Sequence, residues 1–192
     1  IYGFFFLSFI SVFIHFFLPL NKYVTLPLCI FGILSFFLFN LKNINKFKKN
    51  NLIIFLLIFP TIIFFEYHAD YFWYHLPYIN ISNDFKLIFG LANINDNLGY
   101  GHIWYDLLAI FNLPLYKSYY TSLVAVVFLY FFLILIKDIF YKIEDWIIKN
   151  FVLLTVCFIC LIYSDSKDFG SEIQGNLIYI ILSLYILIYY KL

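Results

Sequence analysis

Six apolar stretches divide this chain, and the polar segments between them alternate in character. Residues 1–18, 23–40, 52–65, 119–136, 150–163 and 174–190 are apolar with few charges. Most approach the roughly 20 residues that a membrane-crossing helix needs. The run at 52–65 is short. Its pattern continues through Tyr67 toward Trp73, with Pro60 as a tolerated kink. Residues 41–51 (LKNINKFKKNN) form a basic loop, and 164–172 a short acidic one. In 137–149, Ile139, Phe140, Ile143, Trp146 and Ile147 recur at helical spacing, which predicts a short amphipathic helix on the inner leaflet. The expected fold is all-α: a polytopic helical membrane protein of about six transmembrane helices. Short interfacial helices belong to its first large outer loop.

That loop is the one long polar-aromatic insert, residues 66–118. Tyr67, Tyr71, Phe72, Trp73, Tyr74 and Tyr78 suit the headgroup level, where rings with a polar tip settle. Residues 70–80 and 101–112 are expected to be short helices lying on the membrane. Pro77 and Asn80 interrupt the first, and Gly99 and Gly101 precede the second.

Charge orients the chain. Eight lysines (42, 46, 48, 49, 137, 142, 149 and 191) lie on one side of the predicted spans and four (22, 86, 117 and 167) on the other. Lysine stays on the cytoplasmic side, so the N-terminus is expected inside. Carboxylates sort the other way, three inside and eight outside, so two acidic, aromatic loops converge on the outer face.

Composition supports lipid as solvent. Hydrophobic residues make up 65% of the chain and charged residues 12%, against about half and a quarter in soluble domains. No basic, aromatic-interleaved face exists for nucleic acid. The chain begins at Ile1, has no methionine, and ends just after an apolar stretch. It reads as one transmembrane domain, residues 1–192, from a longer protein. Its first stretch lacks the basic n-region and cleavage site of a signal peptide. Cys29, Cys157 and Cys160 lie in apolar stretches and read as packing residues.

The candidate chemistry is on the outer loops. Glu66 and Asp70 are four apart and share a helix face, as do Tyr71 and His75. A carboxylate at the outer end of a membrane helix, beside tyrosine and histidine, suits a general base or cation ligand. The bland alternative is a solvated interfacial carboxylate. His68, Asp70 and His75 match no zinc spacing. A hard divalent cation held by Asp165 or Asp168 with Asp70 is the candidate cofactor. The alternative is a loop kept polar by topology alone. His15 lies mid-span with no sequence partner and reads as a packing histidine.

Asp70-Tyr-Phe-Trp-Tyr74-His75-Leu76-Pro77, then Gly90-Leu91-Ala92-Asn93, then Leu98-Gly99-Tyr100, resembles a group of uncharacterised bacterial polytopic membrane proteins. That group resembles the GT-C membrane glycosyltransferases, which take sugar from a polyprenyl-phosphate carrier on the outer face. The match spans about residues 66–112. In that class the key loop usually follows the first span, whereas here it follows the third. The class often pairs its carboxylates closely, whereas here Glu66 and Asp70 are four apart, and six spans are fewer than that class uses. The resemblance implies Asp70 as catalytic base. It implies substrate contacts from Glu66, Tyr71, Tyr74, His75, Asn93 and His102. Lys86, Lys117 or Lys167 would meet the lipid phosphate, and a glycan or lipid would be the acceptor. The alternative is a non-enzymatic protein for glycolipid transport or envelope-polysaccharide assembly. A transporter is expected to carry ionisable or broken-helix features at the midplane, where this pattern places only His15 and Pro60.

Overall fold

The structure is a computed structural model that describes residues 2–40, 49–63, 70–100, 103–112, 119–162 and 172–191. Among the described residues it is all-helical. Three helices come first: α1 (Tyr2–His15), α2 (Lys22–Asn40) and α3 (Lys49–Ile63). A π-helical turn, Tyr71–His75, leads directly into α4 (Leu76–Asp84). Two 3₁₀ turns, Leu91–Asn93 and Asp96–Tyr100, precede α5 (Ile103–Phe111). Then come α6 (Tyr119–Lys142), α7 (Trp146–Leu161) and α8 (Glu172–Lys191).

Within α6 and α8, Val124–Lys142 and Ile173–Tyr190 are long and apolar enough to cross a membrane. Helices α1, α2, α3 and α7 carry shorter apolar segments. Apolar side chains on all of these helices face outward: Phe6, Phe9 and Phe13 on α1, Phe31 and Leu38 on α2, Leu57 on α3, Leu154 on α7 and Tyr189 on α8 are exposed.

Two cores share α6. In one, Phe132, Ile136, Ile148, Leu177 and Leu184 join α6, α7 and α8, and Ile58 brings in α3. Near the start of α3, Asn51 accepts a hydrogen bond from Lys137 near the end of α6, so these two helices run antiparallel. In the other core, Val124 and Ala125 of α6 meet Leu20, Ile79 and α5. Phe4 of α1 touches both, edge-on to Phe128 at 5.5 Å.

Helix α5 departs from the surface helix expected over 101–112. Every residue from Trp104 to Ile110 is buried, and the helix packs against α1, α4, α6 and α2. IWYDLLAIF is apolar on all sides apart from Asp106, and such a helix has no face to give to water. The 70–80 expectation fares differently. Tyr71, His75, Tyr78, Ile79 and Ser82 form a buried stripe, while Phe72 and Trp73 are exposed. That is one buried face and one open aromatic face.

Residues 137–149 do not form a separate amphipathic helix. Helix α6 continues to Lys142, and α7 begins at Trp146. Asp145 makes the break: its carboxylate accepts from the backbone N–H groups of Ile147 and Ile148, capping α7. The continuation of the third span toward Trp73 falls largely on 64–69, outside the described residues. So does the bulk of the basic loop, 41–48.

Candidate functional site

The site is assembled where the turn between α1 and α2 meets α4 and α5. A helix C-terminus leaves carbonyls without partners, and buried ones need them. At the end of α5 side chains supply those bonds. The Asn83 amide donates to the carbonyls of Leu20 and Ala109, the latter at 2.8 Å. Thr25 Oγ1 donates to the Ile110 carbonyl at 2.5 Å. Asn112 Nδ2 donates to Asn83 Oδ1 at 2.6 Å. The Leu20 N–H donates to the Ser82 carbonyl at 2.8 Å. Three distant segments are thereby fixed around one point.

Inside that frame are two buried ionisable side chains. His15 closes α1 and Asp106 stands in α5; they are 3% and 5% exposed. His15 Nδ1 and Asp106 Oδ1 approach to 2.9 Å. The approach is off the line of an ideal bond, and among the described residues both ring nitrogens and Oδ1 lack an aligned hydrogen-bond partner. The Tyr78 phenol stands beside Asp106 and Ser82. Burial first, and the Asp106 charge second, push the Tyr78 phenol up to about 12.

A cavity of about 270 Å³ adjoins this cluster. His15, Tyr78 and Ser82 line it, and the Leu87–Ala92 segment with Leu98 and Gly99 covers it. The cover is the second and third parts of the sequence motif. Gly90 adopts φ 82°, a left-handed conformation that glycine takes without a Cβ clash. A Cβ at Gly99 would come 3.0 Å from the Cβ of Ala92, so glycine there lets the two 3₁₀ turns pack together. The Leu87 N–H donates to the His15 carbonyl at 2.8 Å, pinning the cover to the end of α1.

The residues expected from sequence divide into groups. Asp70 is half-buried and precedes the π-helical turn; its carbonyl accepts from the N–H groups of Trp73 and Tyr74, both at 3.1 Å. The Tyr74 hydroxyl lies 3.5 Å from Asp70 Oδ2. Tyr71 and His75 share a face as expected, and both are buried. The His75 ring sits 4.3 Å from Tyr74 and 4.9 Å from Tyr105. Asp70, Tyr71, Tyr74 and His75 are therefore one compact turn, and Tyr105 links it to Asp106 next along α5. Lys86 and Asn93 are exposed and flank the Leu87–Ala92 cover. Glu66, His102, Lys117, Asp165 and Asp168 lie outside the described residues, as do His68 and Lys167.

His15 and Asp106 are the finding that the linear pattern does not give. The apolar pattern makes His15 a mid-span packing residue and Asp106 one more outer-loop carboxylate. The structure ends α1 at His15 and buries Asp106 against it. One signal was available: His15 is the lone His, Asp, Glu, Lys or Arg of α1, and Asp106 that of α5, in otherwise largely apolar helices. Among the described residues no three His, Cys, Asp or Glu side chains group as a metal site.

No curated protein and no solved structure matches this chain. The family model described as a domain of unknown function (DUF8201) matches residues 1–191, and the chain belongs to that family.

Proposed function

We propose that this chain is a six-span protein of a bacterial inner membrane, with its N-terminus inside. In this reading it is the membrane part of a GT-C-like glycosyltransferase, moving sugar from a polyprenyl-phosphate carrier to a glycan or lipid acceptor at the outer face. The membrane assignment draws on the apolar side chains that face outward on α1, α2, α3, α7 and α8. Soluble monomers rarely expose apolar patches beyond a few hundred Å². A 15-residue helix such as α3 covers roughly 22 Å of the roughly 30 Å hydrocarbon layer. Bilayer thinning and side-chain snorkelling accommodate such a difference.

The observation that carries the catalytic reading is the placement of Asp70. The carboxylate is half-buried at the start of a helical segment whose outer flank, Phe72 and Trp73, is open and aromatic. That flank suits the headgroup level, where a lipid-linked sugar phosphate would lie. Asp70 would accept the proton of the acceptor hydroxyl. Tyr74 and His75, adjacent on the same turn, hold its surroundings.

Asp70→Asn keeps the shape and removes the base. In the whole protein, reconstituted with a polyprenyl-phosphate hexose and extracted envelope lipid, transfer should fall by about 10²–10⁴-fold, the usual contribution of a general base. Membrane insertion should be unchanged. Wild-type transfer by Asp70→Asn would overturn the assignment.

A second reading, non-enzymatic glycolipid transport or envelope assembly, draws on the His15–Asp106 pair. Ionisable partners buried between helices are a feature of transporters. In the same assay, wild-type protein that moves the carrier across the bilayer without releasing polyprenyl phosphate favours this second reading.

A further inference from the structure

We propose that the groove framed by α3, α6 and α7 holds an acyl chain of an anionic phospholipid from the lysine-rich leaflet. Lys137, at one end of the groove, meets the lipid phosphate. The inference rests on the membrane reading above and is independent of Asp70 and of the transferase reading.

Helices α3 and α7 both pack on α6, and the space between them stays open. Its volume is about 710 Å³, within the roughly 300–1,000 Å³ of ligand pockets. The walls are almost wholly apolar, with Ile54 and Ile58 from α3, Leu133 and Ile136 from α6, and Val156 and Ile159 from α7. Along α7 the groove runs from Val152 to Cys160, two turns and roughly 12 Å. It opens sideways, where Leu57 and Leu153, both lining residues, are exposed. An empty apolar cleft forfeits the contacts its walls could make. In a bilayer, the apolar filler at hand is a lipid chain.

Charge selects the lipid. Among the described lining residues Lys137 is the one charged side chain. That side chain keeps 16% of its surface open. Its ammonium has three donors, of which Asn51 takes one. Asp138 Oδ1 lies 3.6 Å from the ammonium, but Asp138 lines a different groove, between α1, α6 and α8. A second cation stands at the same end: Lys149 Nζ is 5.7 Å from the ring centroid of Phe140, itself a lining residue. Segment 137–149 holds three lysines and three carboxylates, so placement rather than net charge creates the attraction. A choline headgroup would bring a like charge toward Lys137 and Lys149, whereas a glycerol headgroup brings none. Anionic lipid is also what the cytoplasmic leaflet, the side assigned to this end, supplies.

The test is native mass spectrometry of the whole protein in detergent. The probes are phosphatidylglycerol and phosphatidylcholine with the same acyl chains, in equal amounts. Wild type should retain one phosphatidylglycerol per chain in preference to phosphatidylcholine. Lys137→Gln should lower that preference about fivefold, the share of one basic side chain near an anionic surface. Lys137→Arg should keep it. Lys142→Gln removes the same charge from an exposed position outside the lining and should leave the preference unchanged. Val156→Trp fills the groove from an exposed position and should abolish the adduct. Glycerophosphoglycerol, the same headgroup without chains, should not displace it. If Val156→Trp fails to fold, the two lysine sites carry the test. No preference in wild type, equal loss in Lys137→Gln and Lys142→Gln, displacement by glycerophosphoglycerol, or a dimer in place of the lipid adduct would overturn the inference. Release of the wild-type chain from membranes by alkaline carbonate would overturn the membrane reading and this inference with it. A chain retained in membranes without the adduct overturns this inference alone.

Discussion

At the scale of single residues, burial and partner choice matter more than residue type. Tyr78 is one of several tyrosines in the 66–118 insert, and it is buried beside the Asp106 carboxylate. Its phenol is raised from the usual 10.0 to about 12 by burial and by the Asp106 charge. The folded state thus retains a proton that the unfolded chain releases. Stability is full below about pH 10 and declines as pH rises from about 10 through about 12. Tyr78→Phe removes this term. Thermal unfolding in detergent between pH 9 and 12 should show a shallower fall in midpoint for Tyr78→Phe than for wild type. Parallel slopes would contradict the raised Tyr78 phenol. Asn83 makes the same point without charge: one amide side chain serves two carbonyls from two segments and accepts from Asn112.

At the scale of elements, the glycines separate two roles that look identical in the sequence. Gly90 has φ 82°, where an L side chain costs about 1–2 kcal/mol. A Cβ there would also come 3.1 Å from Asn93 Nδ2. Gly175 lies within α8, and nothing stands within 4 Å of its Cβ position. Gly90→Ala should therefore lower stability by about 1 kcal/mol or more. Gly175→Ala should raise it by about 0.5–1 kcal/mol through helix propensity. Unfolding midpoints of the two variants, moving in opposite directions from wild type, check both; a shared direction would show that local conformation does not control them. Helix α5 is the other lesson at this scale. Apolar periodicity marks it as a helix, but its lack of a polar face is what explains its enclosure by four neighbours.

For the whole molecule, the charge asymmetry predicts a topology. Residues 41–51 and 137–149 are expected in the cytoplasm, and 66–118 and 164–172 outside, because lysine divides eight to four between those sides. The antiparallel pairing of α3 with α6 is in keeping with this: Asn51 meets Lys137 at the end assigned to the inside. Single cysteines at positions 46 and 96, in a chain lacking Cys29, Cys157 and Cys160, provide the measurement. An impermeant reagent added outside should label position 96 and spare position 46. The reverse labelling would invert the orientation.

Much of the secondary structure was legible in the chain itself. In lipid, runs of Phe, Ile and Leu with few charges satisfy their backbone groups by coiling, which predicts helices where the structure has them, over 2–15, 22–40, 119–142, 146–161 and 172–191, with the turn at Pro19 and Asn21. The insert's aromatic density likewise signalled that it is not a free loop. Half of the candidate site was legible too, because Asp70, Tyr71, Tyr74 and His75 are close in sequence and one helical turn gathers them. Local capping and tertiary packing decided the rest. Asp145 ends the expected inner-leaflet helix by capping α7, a local choice made by hydrogen bonding rather than by apolar period. His15 and Asp106 lie far apart along the chain, and periodicity describes the neighbours within one helix, not the helix that packs against it. They meet because α5 is buried beside the end of α1, where Asn83 and Thr25 satisfy its terminal carbonyls. The cavity exists because Gly90 and Gly99 let the intervening turns fold over that meeting point.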